Sequence, residues 1–560
     1  MSTDSTQIAP PPASRLTTLG VISVALGLSA LPLLLILPVD MDKVAQLLLL
    51  PAILCSLFTP GRYTLSAPVK GLLGALVLIV VLSTALSPFL APALVTVAGW
   101  LLVGCGIFAL HQIAANPCWL PWILRGIALG CVAGFFWVGL VIIQGNPGLR
   151  MPLYQHPRLF GMHMFAGVLA SLILLIVQTR TARSYSVDIA LAVLCWTAFF
   201  WSGSRAPLVG LIVGIVLWFL VADTAVRKRL ALWVPLLLIV ALSFSYLIRY
   251  PAYQLGWFRA VERSVNAADM NGLSSSRFVL WDKTWKQAAD SPWLGRGPDG
   301  YRYLRPKLDG EQPHNFLLHW RLELGWPGML CLLTLLGLCI ITGLRNRDIR
   351  YRPWAVACAA GLAACTATAC LDGIFYHVFI LLPAVCLAAG CLQSPLASPE
   401  TSCAKSDRLA RWGVGAAIMV ASVVLVFHSI LLYRLVRGAP PHPRSSTAQM
   451  LRAFPSTTNG LIRWIEAWRA PLPNEALEWT LWAQTTAPYP AIYHEQAARL
   501  YIERNDLAST EAEYAAAVAT GHSSAQRYLQ KMLQLTRNAR AEMLKTAPPA
   551  PPAAPAAPSP

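Results

Sequence analysis

Residues 313–344 read PHNFLLHWRLELGWPGMLCLLTLLGLCIITGL. The stretch changes character at its middle. Its first half carries His314, Asn315, His319, Arg321 and Glu323, whereas everything from Trp326 to Leu344 is uncharged. The uncharged half approaches the roughly 20 apolar residues that cross a bilayer as a helix. Ionisable groups at the mouth of such a span are costly and mark function by default. If a helix starts near Asn315, then Asn315, His319 and Glu323 recur at helical spacing and share one face. Gly325 and Pro327 permit a break before the span. The bland alternative is a polar helix entry in which His314 and Asn315 only cap backbone amides.

The whole chain extends this pattern. Of its 560 residues, 56% are hydrophobic and 12% charged, with mean hydropathy +0.54. Soluble domains carry about 25% charged residues, so this is an integral membrane protein with many spans. The formal charge of +18 does not indicate nucleic-acid binding, because Lys and Arg sit mostly in short loops between apolar runs. The 13 cysteines lie nearly all inside those runs and show no metal-binding spacing. They read as small apolar packing residues.

Apolar windows fall near 19–38, 44–59, 70–88, 92–111, 122–143, 163–179, 187–202, 206–222, 231–248, 326–344, 353–370, 374–392 and 412–434. The expected fold is therefore all-α, a polytopic bundle of about 12–13 spans. The first window reads as an uncleaved span rather than a signal peptide. Basic loops at Arg62/Lys70, Arg180/Arg183, Arg227–Arg229, Arg345–Arg352 and Lys405–Arg411 fall on one side of the count, which the positive-inside bias assigns to the cytoplasm. The expected parts are a cytoplasmic tail (1–18), nine spans (19–248), a large periplasmic loop (249–325), four spans (326–434), a periplasmic helical domain (435–546) and a disordered Pro/Ala tail (547–560). Within 491–533, Tyr501, Tyr514, Ala517 and the Asn505–Asp506 turn sit roughly where a tetratricopeptide-type hairpin would place them, although Thr510 stands where that repeat prefers Ala. Such a unit needs a neighbour; the segment 445–486, with Trp464, Trp468, Trp479 and Trp482, is the expected one.

The loop 274–307 sets Arg277, Arg296, Arg302, Arg305 and Lys307 among tryptophans and tyrosines. Guanidinium forks suit phosphate oxygens, aromatics suit sugar faces or the membrane interface, and Gly295, Gly297 and Gly300 allow close backbone approach. Arg205, in WSGSRAPLVG, stands at the end of a span and calls for an anion or carbonyl partner. A bland reading remains for the loop: a basic surface that touches lipid headgroups.

Three elements together, SGSRA (202–206), Arg277 followed by W…SPWLGRGPDGY (281–301), and PHNFLLHWRLELGWPG (313–328), resemble the O-antigen ligase-related superfamily. Its members include O-antigen ligases, O-antigen polymerases and bacterial protein O-oligosaccharyltransferases. The resemblance implies an inner-membrane enzyme that moves an oligosaccharide from a polyprenyl-diphosphate donor to a hydroxyl. The acceptor would be a lipid A–core sugar or a Ser/Thr of a periplasmic, pilin-like protein. It further implies His314 as catalytic base and Arg205 and Arg277 on the diphosphate, with Arg302 and Arg305 as lesser candidates. Asn315 or Glu323 would orient the imidazole or the sugar, with no cofactor and no metal. Two stretches depart from the protein O-oligosaccharyltransferase pattern: YQHPRLFGMHMFAG (154–167) lacks the Gln-Pro-Asn element, and LDGIFYH (371–377) stands where a Glu-Pro-Leu patch is usual. Two competitors remain. Asp40-Met41-Asp42 could hold a divalent metal in a different glycosyltransferase class, and a non-enzymatic transporter of lipid-linked sugar would also place polar residues at span ends.

Overall fold

The computed structural model describes residues 15–34, 45–58, 66–114, 119–145, 151, 154, 156–178, 182–256, 261–262, 264–267, 274–304, 312–392, 404–453, 458–487, 490–520 and 523–546. Among these residues regular structure is helical throughout. Among the described residues, nine helices are long and apolar enough to cross a membrane, and four shorter apolar ones (Thr18–Leu33, Ala45–Leu57, Ala206–Val221, Val378–Cys391) account for the remaining expected windows. The thirteen windows thus each find a helix. Asp40, Asp42, Arg305 and Lys307 lie outside the described residues, as does the 547–560 tail.

The chain falls into two compact units. The first comprises residues 1–301 and 310–433. We label its helices α1 (Arg15–Leu34), α2 (Leu50–Phe58), α3 (Ala67–Ala85), α4 (Leu90–Ala114), α5 (Leu120–Ile143), α6 (Pro157–Val177), α7 (Ala182–Ser202), α8 (Ala206–Val221), α9 (Thr224–Leu247), α10 (Arg277–Ala289), α11 (Phe316–Leu344), α12 (Arg352–Leu371), α13 (Val378–Cys391) and α14 (Ala404–Arg437). Helix α6 is buried along its span and packs on α5, α7, α12 and α13. At the other extreme, α3 exposes Val77, Leu78, Val81 and Leu82, as a lipid-facing helix would.

Where two helices cross closely, small residues permit it. A Cβ at Gly210 of α8 would strike the Ala364 carbonyl and the Thr368 hydroxyl of α12, and one at Gly130 of α5 would strike the Leu28 carbonyl of α1. Without a hydrophobic driving force between helices in lipid, this close contact is what holds them together.

Helix α11 is broken where the sequence allowed it. Gly325 has φ 68° and ψ −173°, a conformation open in practice to glycine. The break leaves backbone groups without helical partners, and each would cost several kcal/mol if left unpaired in hydrocarbon. The loop 291–297 satisfies them. Arg296 N donates to Leu322 O (2.7 Å), Gly297 N to Glu323 O (3.0 Å), and Trp326 N donates to Pro292 O (2.8 Å). Ser83 Oγ of α3 adds a second donor to Glu323 O at 2.9 Å. Pro327 has no N–H to satisfy.

The second unit comprises residues 302–309 and 434–560. Its described helices are Ser446–Ala453, Thr458–Arg469, Pro473–Thr486, Pro490–Glu503, Leu507–Thr520 and Ser523–Thr546. The four tryptophans form a ladder, with ring centroids 5.9 Å (Trp464–Trp468), 5.6 Å (Trp468–Trp479) and 5.3 Å (Trp479–Trp482) apart. Tyr514 and Ala517 pack with Ala498 and Leu529. At the Asn505–Asp506 turn, Asp506 caps the next helix by accepting from Ser509 N at 3.0 Å. The buried Thr510 hydroxyl donates to Asp506 O at 2.7 Å, which is how a hydroxyl fits where Ala was expected. The last helix runs to Thr546, beyond the 491–533 stretch that carries the hairpin-like pattern.

Candidate active site

Four helix termini of the first unit bring polar side chains together. The segment before α11 supplies His314, the end of α12 supplies Asp372, and the starts of α10 and α6 supply Arg277 and Arg158. His314 has φ 54°, a left-handed conformation that costs a non-glycine residue free energy and recurs at active sites. It is pinned from both sides. Trp281 Nε1 of α10 donates to Pro313 O at 2.9 Å. Asn315 Oδ1 accepts from Leu317 N (3.0 Å) and Leu318 N (3.2 Å), capping α11.

The imidazole lies between an acid and a base. His314 Nδ1 is 3.1 Å from Asp372 Oδ1, and His314 Nε2 is 3.3 Å from Arg158 Nη1. A guanidinium can only donate. Nε2 is therefore the acceptor nitrogen, and Nδ1 carries the proton that faces the carboxylate. Asp372 is 1% exposed and accepts from Arg277 Nη2 at 2.9 Å and Gly373 N at 2.8 Å, with His314 Nδ1 at 3.1 Å and Arg158 Nε at 3.9 Å beside it. Arg277 Nη1 also donates to the Leu371 carbonyl.

The charges follow. Burial pushes His314 below its ordinary imidazole range, and the Arg158 and Arg277 charges push the same way, while the Asp372 contact opposes them. The imidazole is thus neutral at physiological pH. Burial opposes charge on Asp372, yet the His314 contact and the two guanidinium groups outweigh it and hold the carboxyl well below the usual carboxylate range. The four groups together carry one net positive charge.

Arg205 stands at the N-cap position of α8, and its guanidinium donates to Ser264 Oγ (2.9 Å) and Ser275 Oγ (3.3 Å). Ser275 and Ser276, both with positive φ, lead directly into Arg277, so Arg205 is joined to Arg277 through that turn.

Residues 190–333 match the family model for O-antigen ligase. The matched segment holds Arg205, Arg277, His314, Asn315 and Glu323. Over this segment the chain resembles the O-antigen ligase-related superfamily. No curated protein matches it. The match, together with the apolar helices, supports a multi-pass membrane protein that handles a lipid-linked glycan through ligase- or polymerase-type chemistry.

Against the sequence reading, the structure redistributes roles within this site. Neither Asn315 nor Glu323 orients His314. Asn315 is committed to the α11 amides, and Glu323 Oε1 lies 2.7 Å from His319 Nε2, with both side chains buried. His319 stacks on Tyr376 at 4.4 Å. Orientation of His314 falls to Asp372. Gly295 and Gly297 do approach a partner closely, but it is the broken helix: a Cβ at Gly295 would meet the Leu322 and Glu323 carbonyls. Trp285 faces Arg321, whose guanidinium carbon sits 3.5 Å from the indole centroid, with Trp326 at 4.6 Å. Arg302, in the turn Gly300–Tyr303, groups with the second unit. Asp372 and Arg158 were missed. Both lie in the two stretches, 371–377 and 154–167, read only as departures from a relative's pattern, and both lie outside the family match.

Proposed function

We propose that this chain transfers an oligosaccharide from a polyprenyl-diphosphate donor to a hydroxyl acceptor at the periplasmic face of the bacterial inner membrane. The observation that carries the reading is the His314 geometry: a neutral imidazole with its proton on the Asp372 side and its lone pair at Nε2, beside guanidinium groups that leave a net positive charge. The acceptor oxygen attacks the anomeric carbon while the bond to the diphosphate oxygen breaks. The hydroxyl proton passes to Nε2, and the electron pair leaves with the diphosphate. One displacement of this kind inverts the anomeric centre. Asp372 stabilises the imidazolium as it forms, a role in which a fixed charge is worth most away from water. Arg205 and Arg277 face the leaving diphosphate, and Arg277 in addition anchors Asp372. The leaving group is already good, so the reaction needs no metal or redox cofactor.

The acceptor is a sugar hydroxyl of a lipid A–core or a growing polymer, or a Ser/Thr of a periplasmic protein. Lipopolysaccharide ladders and periplasmic glycoprotein masses from a deletion strain distinguish these. A transporter would carry lipid-linked sugar without a base. His314→Ala in reconstituted membranes should therefore lower glycan transfer by roughly 10²–10⁴, the usual range for a lost general base, while donor still binds. Transfer within about threefold of wild type, well short of that range, would refute the assignment.

A further inference from the structure

Arg158 belongs to none of the sequence motifs, yet it touches the one atom the reaction needs free. We infer that Arg158 is a removable cap on the base, covering His314 Nε2 in the resting protein and drawn off it by the donor diphosphate. The inference rests on the reading of His314 as the base.

Nε2 has a single in-plane lone pair, and Arg158 Nη1 sits 3.3 Å from it. An acceptor hydroxyl must donate to that same lone pair before its proton can transfer. The two donors cannot share it, so acceptor engagement requires Arg158 to move.

Its other attachments are weak enough for that. Arg158 Nε has no hydrogen-bond partner although it is shielded from solvent, and it stays 3.9 Å from Asp372 Oδ2. Arg277 holds that carboxylate oxygen at 2.9 Å, and His314 holds the other at 3.1 Å. The Arg158 side chain is 33% exposed, against 18% for Arg277. Arg158 is thus the loosest member of the cluster and the one facing outward.

A diphosphate supplies what Arg158 lacks. Charged, geometrically matched oxygens bind a guanidinium fork far better than one neutral imidazole nitrogen does. Donor arrival then performs two tasks at once: the anion gains a third cation, and the base loses its cover. Binding becomes ordered, with donor before acceptor. After transfer the imidazolium carries a proton on Nε2 and repels Arg158, so the cap returns only when that proton has left. The charged groups that face His314 are Asp372 from the end of α12, Arg277 from the start of α10 and Arg158 itself from the start of α6.

The test is carbethoxylation of His314 by diethylpyrocarbonate, which needs a free lone pair, read by peptide mass spectrometry on the full chain in lipid nanodiscs. Inorganic pyrophosphate serves as the probe. In wild type, saturating pyrophosphate should raise the His314 labelling rate roughly tenfold, the order expected for releasing one hydrogen bond from a charged donor. Arg158→Gln should label at the fast rate from the start and ignore pyrophosphate. Wild-type labelling that pyrophosphate slows, or changes by less than about twofold, far below one charged hydrogen bond, overturns the cap. So does Arg158→Gln labelling at the wild-type rate. The wild-type arm needs no variant, so poor folding of Arg158→Gln leaves the test standing. Labelling unaffected by pyrophosphate, alongside lost transfer in His314→Ala, would reject the cap and keep the base.

Discussion

Asp372→Asn separates a catalytic dyad from a structural pin with a change of one atom. Asp372 is engaged at both oxygens: Gly373 N donates to Oδ1, which also lies 3.1 Å from His314 Nδ1, and Arg277 donates to Oδ2. A carboxamide has one acceptor oxygen. If that oxygen faces His314, the amide NH₂ confronts Arg277. If it faces Arg277, the NH₂ points at His314 Nδ1 and favours the tautomer with the proton on Nε2, which has no lone pair to offer. Either arrangement damages the base. The electrostatic part can be sized. Two unit charges about 4 Å apart interact by about 4 kcal/mol at an effective dielectric of about 20. Removing the fixed charge beside the developing imidazolium should therefore cost roughly 10²–10³ in turnover, at about 1.4 kcal/mol per decade.

The assay is turnover against pH in proteoliposomes with lipid-linked donor. The base works unprotonated, so the rate falls as pH drops through the His314 pKa. Burial places that limb below the ordinary imidazole value. Asp372 pulls it back up, so Asp372→Asn should move the limb to still lower pH while lowering the plateau. Stability gives an independent sign. Because the folded-state pKa of Asp372 is depressed, its stabilisation is present above the unfolded value of about 3.9 and lost as pH falls toward the folded one. Melting of Asp372→Asn should thus converge on wild type in acid. Turnover within about threefold of wild type, against the expected two to three decades, or a limb displaced upward, would refute the dyad.

Gly325→Ala should destabilise the protein by several kcal/mol, since a Cβ there would strike the Trp293 carbonyl on top of the left-handed strain of about 1–3 kcal/mol; thermal melting in detergent reads this, and an unchanged midpoint would count against the docked helix break. Arg205→Lys should weaken diphosphate binding nearly as much as Arg205→Ala, because a point charge cannot reproduce the fork; equal pyrophosphate affinity in the Lys variant and wild type would make Arg205 structural. Transfer should survive EDTA, and Asp40→Asn with Asp42→Asn should be mild. Activity lost to chelator and restored by Mg²⁺ would bring back the metal-dependent reading.

The spans were legible because lipid imposes a length and an apolar composition that can be counted along the chain. The break in α11 was legible for a similar reason: Gly325 and Pro327 are local signals. His314, Arg205 and Arg277 were reached through motifs whose members stand close in sequence. Asp372 was not, since its meaning comes from three partners 58 or more positions away in the chain, and one Asp at a span end looks like any helix boundary. Glu323 illustrates the converse. Helical spacing correctly placed it with His319, and that pairing is what removes it from His314.

The same reasoning accounts for the shape of the site. A polar cluster inside a membrane protein must satisfy its own backbone, and helix termini are where backbone groups are already unpaired. Here four termini meet. Leu371 O at the end of α12 takes Arg277, Asn315 takes the first amides of α11, and Pro313 O takes Trp281. Arg277, Asn315 and Trp281, which hold the segments around His314 and Asp372, therefore also close backbone groups at helix ends, so on the proposed reading the site geometry and the fold's stability depend on the same contacts. Substitutions that keep these backbone closures, such as His314→Ala, should fold and fail in transfer. Substitutions that open them, such as Arg277→Ala, should lose both, and their activity alone cannot assign a catalytic role to the residue.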